Sequence, residues 1–391
     1  MNAKWIRTAA SAWVLVLAIG IPAATGAGNP ASPKEQAKAA MDKAVAFLKA
    51  QQKPDGSIGA KPHVGITSLA IAALVEAGAK ESAKEVIEKA VAFILASQQK
   101  EGPDKGAIFD PKMGYANYNT SVAIMALVAV DKEKYKDAIA AARDYEIGIQ
   151  RTDGAYNGAI GYGSNKENPD LSNLAFAVLA LHDAGVGADA DVMKRAAEFI
   201  SRVQNRAESN DMARFKMKTK DGTDIVPGAD GGMGYSVGDS KSGLTANPDG
   251  TKSPIAYAGM TYQGLLAFLY AGVNKDDPRV QGAMNWIKAN WTLDENAGLR
   301  GEKPEAALQG LFYYYRAFAK ALDAYGEVAI TDKDGKKHLW ARELVSKLSS
   351  LQKEDGSWAN AADRWQEGDA TLVTSYALHA LGIANRWLDK E

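Results

Sequence analysis

The sequence predicts an all-α protein, an α/α-toroid in which six helix pairs close into an α6/α6 barrel. Three observations lead to this prediction. An amphipathic helix recurs along the chain, a glycine-rich loop follows each copy, and a helix that is apolar on nearly every side follows each loop. A helix that is apolar all round is buried, whereas an amphipathic helix covers it. We therefore expect six inner and six outer helices in one domain over residues 28–391.

The segment before this domain has the pattern of a secretory signal peptide. Lys4 and Arg7 form a basic head, residues 12–21 are apolar, and residues 23–27 are small. This order of features is typical of a cleaved signal, and the apolar run is shorter than the roughly 20 residues that a transmembrane helix needs. We expect residues 1–27 to be removed, which leaves a secreted or periplasmic protein with no membrane span. An uncleaved anchor is the alternative.

Composition excludes several kinds of site. The chain contains no cysteine, so it forms no disulfide and has no cysteine-ligated zinc. Its formal net charge is −1, which gives no electrostatic footprint for nucleic acid. None of the four histidines has a second ligand at a metal-like spacing. The sequence therefore predicts no metal, no cofactor and no nucleic-acid partner.

The outer helices share one ending, in which an aromatic residue precedes a glutamine by five positions. The pairs are Phe47 and Gln52, Phe93 and Gln98, Tyr145 and Gln150, and Phe199 and Gln204. The fifth copy has Trp286 and Trp291, and the sixth keeps Gln352 but has Lys347 in the aromatic position. A glutamine in the last helical turn can bond loop backbone that would otherwise lack a partner. We therefore predict a structural role for these glutamines.

The inner helices follow the glycine-rich loops. Their apolar segments are residues 66–78, 120–130, 171–185, 261–272, 307–322 and 372–384. Gly78, Gly185 and Gly272 close three of them, as helix C-caps do. An open solenoid could use the same parts. We favour a closed ring because six pairs suffice for one and neither terminal repeat has a polar outer cap.

The loop of the last repeat carries a recognisable motif. The run from Gln352 to Trp358, QKEDGSW, resembles the QW motif of the terpenoid cyclase and protein prenyltransferase superfamily, which includes the squalene-hopene cyclases. Gly161-Tyr162, followed by the run from Pro169 to Asn173, is similar to the prenyltransferase/squalene-oxidase repeat. The resemblance covers most of residues 34–390. It implies an α/α-toroid and an isoprenoid-like substrate class.

The catalytic motifs of that superfamily are missing from this chain. Its triterpene cyclases protonate an alkene with a DxDD motif, for which the nearest string here is Asp332-Lys333-Asp334-Gly335. We interpret this string as a turn, with a calcium loop as the alternative. The protein prenyltransferases bind zinc with a cysteine, and no cysteine exists here. Whether the chain is an enzyme therefore stays open at this point.

Aromatic residues gather where the loops meet the inner helices. Gly-Tyr recurs at Tyr115, Tyr162 and Tyr235, between an outer helix and the next inner helix. All three rings should therefore meet at one mouth of the toroid, where they could bind an apolar chain or stack on sugar rings. The alternative is that they plug gaps between helix ends, with their hydroxyls on loop carbonyls. The candidate ligand-binding residues are Tyr115, Tyr118, Tyr162, Tyr235, Tyr262, Tyr313, Arg364 and Trp365.

Four residues are candidates for catalysis. Asp170 and Asp369 stand at the starts of inner helices, where a carboxylate can cap the helix or face the mouth. His182 and His379 lie within inner helices and could act as bases. A lone helical histidine is more often a hydrogen-bonded core residue, and capping is the better interpretation of the aspartates.

The longest insertion, residues 205–257, could place a lid over the mouth. Our leading hypothesis is a binding or scaffold module for an apolar or glycan ligand, with a protein partner also open. The alternatives are an enzyme that acts on isoprenoid lipids and a glycan hydrolase or lyase. A fold of this kind does not decide between them.

Overall fold

The computed structural model describes residues 31–165, 167, 169–301 and 304–391. The predicted signal peptide, residues 1–27, lies outside this part of the chain. The described residues form twelve α-helices in six consecutive pairs, as predicted. They are α1 (Pro33–Ala50), α2 (Val64–Glu76), α3 (Lys84–Ala96), α4 (Ala116–Asp131), α5 (Lys136–Ile149), α6 (Leu171–Asp183), α7 (Asp191–Val203), α8 (Ala258–Tyr270), α9 (Pro278–Ala289), α10 (Leu311–Tyr325), α11 (Trp340–Leu351) and α12 (Ala370–Trp387).

The even-numbered helices form a closed inner ring. Each packs on the next, from α2 to α4 and onward to α12, and α12 packs back on α2. The odd-numbered helices lie outside, with α1 against both α11 and α12. Closure follows from the sequence because the inner helices are apolar on every side: every residue of α2 from Val64 to Leu74 is buried. The toroid is confirmed, and the open solenoid is excluded.

The glutamines at the outer helix ends make the same two hydrogen bonds in five repeats. Each side-chain amide donates to the glycine carbonyl in its own loop and to a carbonyl near the start of the next outer helix. The acceptors are Gly56 and Val86 for Gln52, Gly106 and Ala138 for Gln98, Gly158 and Val192 for Gln150, Gly231 and Arg279 for Gln204, and Gly356 and Ala40 for Gln352. The predicted structural role is confirmed, and the second bond extends it from the loop to the neighbouring repeat.

We call this pair of glutamine hydrogen bonds the clamp, and the clamp of the last repeat closes the ring. Gln352 Nε2 donates to Ala40 O of α1 at 2.9 Å, so the last repeat is tied to the first. Gly356 lies so close to α1 that a Cβ atom there would stand 2.6 Å from Lys43 O, and its φ of +85° is in the region that favours glycine. Trp358 is fully buried, and its Nε1 donates to Leu348 O of α11.

The fifth repeat, which has Trp291 instead of glutamine, uses an ionic cluster. Trp291 stacks on the His338 ring, with centroids 4.6 Å apart, and its Nε1 donates to Glu343. The two ring nitrogens of His338 face Glu343 at 2.8 Å and Asp332 at 3.1 Å. This hydrogen bond to His338 is the main reason why the pKa of Asp332 is lowered. The outer helix α11 is thus held without a glutamine.

Two short hairpins complete the described structure. The first, β1 (Leu244–Ala246) and β2 (Lys252–Pro254), lies in the insertion, and the second pairs β3 (Ile330–Thr331) with β4 (Lys337–His338). The predicted turn at residues 332–335 is the tip of the second hairpin, where Gly335 N donates to Asp332 O. None of the helices in the described part of the chain is long and apolar enough to cross a membrane.

We predict that Gln352→Ala lowers the free energy of unfolding by about 1–3 kcal/mol, because two buried carbonyls lose their shared donor. Chemical denaturation with tryptophan fluorescence as the signal measures this. Gln51→Ala is the matched control, since Gln51 is also half-buried and makes no side-chain hydrogen bond within the described structure. Equal stabilities of the two variants would refute the clamp.

Candidate ligand-binding mouth

A cavity of about 280 Å³ opens at the end of the barrel where the inner helices begin. All six inner helices, or the residues directly before them, contribute to its wall. Eight of the lining side chains are aromatic, and they come from different repeats. They are Tyr115, Tyr118, Tyr162, Tyr235, Tyr257, Tyr313, Trp365 and Tyr376.

Six of the eight predicted ligand-binding residues line this cavity, and two do not. Tyr262 is buried in the wall, where its ring packs against Tyr314 and Phe318 of α10 at centroid distances of 5.5 and 5.2 Å. We therefore remove Tyr262 from the set. Arg364 stands outside the wall: its guanidinium lies 4.4 Å from the Trp365 ring centroid and donates to Gln309 Oε1.

The Gly-Tyr motifs both cap helices and line the cavity. The carbonyl of Tyr162 accepts from Asn117 N in the first turn of α4, and the carbonyl of Tyr235 accepts from Leu171 N of α6. Each backbone therefore supplies an acceptor to a helix N-terminus, where donors lack partners within the helix. Since the rings still face the cavity, the two interpretations of these tyrosines are compatible.

The hydroxyls of five cavity tyrosines bond to other side chains rather than to loop carbonyls. Tyr118 and Tyr376 share a hydrogen bond of 2.7 Å across the barrel, and Tyr162 and Tyr235 share one of 3.3 Å. The Tyr313 hydroxyl pairs with Ser172 at 2.8 Å. With their hydroxyls paired in this way, these tyrosines present mainly ring surface to the cavity.

The rings of Tyr118, Tyr313 and Tyr376 also form the floor of the cavity, and Phe176, which does not line the cavity, packs against two of them. Phe176 lies 4.6 Å from Tyr118 and 6.2 Å from Tyr313, and Tyr313 lies 6.1 Å from Tyr376. Of the consecutive tyrosines 313–315, only Tyr313 faces the cavity, which agrees with the 100° rotation per helical residue. We call these four residues the aromatic floor.

Two aromatic residues on the rim have unusual backbone conformations. Tyr115 has a φ of 57° and Trp365 a φ of 60°, both in the left-handed region that costs a residue with a Cβ atom about 1 kcal/mol or more. They are also exposed, at 51% and 44% of their surfaces. Backbone strain of this kind clusters at functional sites, and here it holds two exposed aromatic rings at the entrance of the cavity.

Asp170 adjoins the cavity within a buried hydrogen-bond network. It accepts from Asn173 N, as the cap of α6, and also from Asn173 Nδ2 and the Tyr235 hydroxyl at 2.8 and 2.9 Å. Burial nevertheless raises the pKa of Asp170. Capping, the favoured sequence interpretation, is confirmed for Asp170 and also for Asp369, which accepts from Thr371 N and Leu372 N.

The two histidine candidates do not reach the cavity. His182 lies in the last turn of α6, at the opposite end of the barrel, with half of its side chain exposed. His379 is buried in the middle of α12, and burial lowers its pKa well below the ordinary value. The imidazole of His379 is therefore neutral at physiological pH.

Glu367 is a cavity residue that we did not predict. Its carboxylate accepts from Tyr313 N at 2.8 Å and from Asn360 Nδ2 at 2.7 Å, so that it caps α10. Burial raises its pKa to about 7 despite these bonds. In the sequence Glu367 lies two residues before Asp369, the cap of α12, but its side chain turns back to α10, a contact that no local pattern could have indicated.

This architecture defines a class of protein, an α/α-toroid with an aromatic mouth formed at the N-terminal ends of its inner helices. Residues 60–218 match the family model of the squalene-hopene cyclase C-terminal domain, and residues 252–389 match that of the prenyltransferase α/α-toroid domain. The chain belongs to the α/α-toroid superfamily that these two families represent. A search of the curated proteins found no relative.

Solved structures with the same fold have different activities. A variant of the type II terpene cyclase MstE from Scytonema, in complex with its product merosterolic acid A, is 12% identical, with 91% of this chain and 99% of that chain covered and a TM-score of 0.54. The GH76 α-mannanase from Bacteroides thetaiotaomicron is 11% identical, with 92% and 100% covered and a TM-score of 0.56. An inactive double aspartate variant of the α-1,6-mannanase from Salegentibacter, in complex with α-1,6-mannotriose, is 10% identical, with 90% and 99% covered and a TM-score of 0.54.

We predict that Glu367→Gln removes part of the pH dependence of stability. A carboxyl group whose pKa is raised in the folded state stabilises the fold below its unfolded pKa, and this contribution is lost as pH rises through about 7. Between pH 5 and 8 the wild-type protein should lose on the order of 2–3 kcal/mol more than the variant. Urea unfolding at both pH values measures this, and parallel losses would contradict it.

Proposed function

We propose that this protein is an exported ligand-binding toroid whose mouth holds an apolar ligand. The observation that carries the proposal is the cavity itself, with eight aromatic side chains contributed by five of the six repeats. Aromatic surfaces provide large contact areas for apolar or ring-containing molecules. The sequence pattern of residues 1–27 supports export.

The hydrogen bonding within the wall favours an apolar ligand over a sugar. Tyr118, Tyr376 and Tyr313 already satisfy their hydroxyls within the protein. A glycan needs many donors and acceptors from its site, and each one that stays unpaired on binding costs about 1–3 kcal/mol. An isoprenoid or other hydrocarbon chain makes no such demand.

The carboxylates argue against glycan hydrolysis. That chemistry uses two carboxyl groups on either side of the scissile bond, about 5–10 Å apart. Among the described residues that line the cavity, Glu367 is the only acidic one. Asp170 lies behind the wall with three hydrogen bonds already accepted. The mannanase neighbours therefore share the fold without supporting the same activity here.

One observation favours a second candidate, an enzyme that acts on isoprenoid lipids. Glu367 lines the cavity with a pKa of about 7, so a substantial fraction of its carboxyl groups carries a proton at neutral pH. A group poised in this way is suited to general acid catalysis. Its two bonds to Tyr313 and Asn360 nevertheless assign it a capping role, so we rank binding first.

We expect the double variant Tyr115→Asn and Trp365→Asn to bind an apolar probe at least about tenfold more weakly than the wild type, because two rim rings are lost. Its stability should be equal or higher, because asparagine tolerates the left-handed conformation. Native mass spectrometry and titration with farnesol measure binding, and thermal unfolding measures stability. Tyr325→Asn, at the far end of α10, is the control.

Parallel titration with α-1,6-mannotriose separates the ligand classes. Tighter binding of the sugar than of farnesol would overturn the apolar proposal. A protein that binds neither probe and carries no lipid from its host would favour an interaction scaffold. Release of a cyclised or rearranged product by the wild type, but not by Glu367→Gln, would favour the enzyme.

Export makes a separate prediction. Protein purified from its own host should lack the first 26 or 27 residues and should be recovered outside the cytoplasm. Intact-mass measurement and cell fractionation check both points. A full-length mass in the membrane fraction would indicate a retained anchor.

A further inference from the structure

A buried arginine lies directly beneath the aromatic floor. Arg316 is 2% exposed and stands in α10 one turn after Tyr313. Its guanidinium lies 5.0 Å from the ring centroid of Phe176 on α6. Since α8 separates α10 from α6 in the inner ring, the Arg316 side chain extends into the interior of the barrel to reach Phe176.

Arg316 has no ionic partner within the described part of the chain. No carboxylate there comes within 4.0 Å of its guanidinium, no hydrogen bond to it is formed, and its Nε is buried and unpaired. Its contact with Phe176 offsets only part of the cost, because a cation–π contact contributes about 0.5–2 kcal/mol whereas burial of an unpaired ion costs several kcal/mol. The described residues therefore supply no counter-anion to Arg316.

Two further groups near Arg316 lack an ionic or a hydrogen-bond partner within the described structure. Lys320, one turn further along α10, makes no ion pair within the described structure, and its pKa is lowered by burial and by Arg316. His379 of α12 has an unpaired, buried Nδ1. Two carboxylates, Asp323 and Asp183, have the opposite electrostatic effect and raise the pKa of Lys320. Asp323 is already bound by Arg386 and by Trp387 Nε1, and Asp183 lies in the last turn of α6.

We propose that the centre of the barrel binds an anionic group, a carboxylate or phosphate, with Arg316 as its anchor and with Lys320 and His379 beside it. A guanidinium forms paired, charge-assisted hydrogen bonds with either group. This inference rests on the proposed function and refines it: the ligand is an apolar molecule with an acidic head, and its tail occupies the mouth.

Such a ligand has to pass the aromatic floor. Within the described structure the hydroxyls of Tyr118 and Tyr376 bond only to each other, so parting these two rings breaks one hydrogen bond together with their ring contacts to Phe176 and Tyr313. In the proposed path, these two side chains rotate and join the cavity to the centre. The acidic head then neutralises Arg316, while the tail contacts the rings that its passage displaced.

The test compares farnesoic acid with farnesol, which share a tail and differ in the acidic head. The wild type should bind the acid at least about tenfold more tightly than the alcohol, and Arg316→Met should bind both equally. Without ligand, Arg316→Met should unfold at the same or a higher temperature, because it replaces an unpaired buried charge with an apolar side chain. Arg143→Met, at a surface arginine paired with Asp144, is the control.

The outcomes separate this inference from the proposed function. Equal binding of acid and alcohol by the wild type overturns the acidic-head part of the inference but leaves the apolar mouth standing. A preference for the acid that depends on Arg316, combined with no effect of the Tyr115 and Trp365 changes, supports the anion site and overturns the role of the mouth. Marked destabilisation by Arg316→Met would show that the guanidinium is a structural group and would overturn the inference.

Inorganic phosphate distinguishes a free anion from a head group. A rise in the unfolding temperature of the wild type with phosphate, absent in Arg316→Met and in sodium chloride of equal ionic strength, supports the anion site. If phosphate stabilises the protein but the acid binds no better than the alcohol, the site takes a free ion and the acidic-head part of the inference is wrong.

Discussion

The hydrogen bonds from the glutamine side chains to two carbonyls on different repeats are the constraint on which the rest of this toroid depends. Each amide joins the loop that follows one outer helix to the start of the next outer helix. A ring of stacked helices could slide or open at any junction, because apolar packing has no direction. Directional bonds fix the junctions, and at the seam Gln352 makes the same bond to Ala40. The fifth repeat shows that directional contacts between neighbouring repeats are required rather than glutamine itself. There, Trp291 stacks on His338 and donates a hydrogen bond to Glu343.

Fixing the loops in this way brings the N-terminal ends of six helices to one side of the barrel. Such ends carry unpaired donors and the positive ends of helix dipoles, which favour acceptors and negative charge. The chain supplies carbonyls at Tyr162 and Tyr235 and carboxylates at Asp170 and Glu367. Because the backbone and a few acidic groups satisfy the helix ends, the aromatic rings are left to form the cavity wall. The mouth is therefore a consequence of how the helices are capped.

Periodicity predicted the helix pairs, the bonds of the glutamines to their own loops and the location of the mouth, because each depends on residues close together in sequence. It failed where a side chain's direction or a distant partner decides the outcome. Tyr262 was predicted to face the ligand, but a rotation of 100° per residue turns its ring towards Tyr314 instead. Glu367 caps α10 across a loop, and Arg316 meets Phe176 only because the ring closes. Neither contact leaves a local signal in the sequence.

In the proposed site, the aromatic cavity wall and the buried Arg316 below it would contribute different chemistry. An aromatic wall can bind many apolar molecules tightly but distinguishes poorly among them, because ring contacts are weakly directional. A buried guanidinium has the opposite properties: it contributes little until an anion arrives, and then it fixes the position and orientation of that group. In the proposed site, where Arg316 lies below the aromatic floor, a ligand would enter with its acidic head first. The barrel would then select among apolar molecules by their charged end.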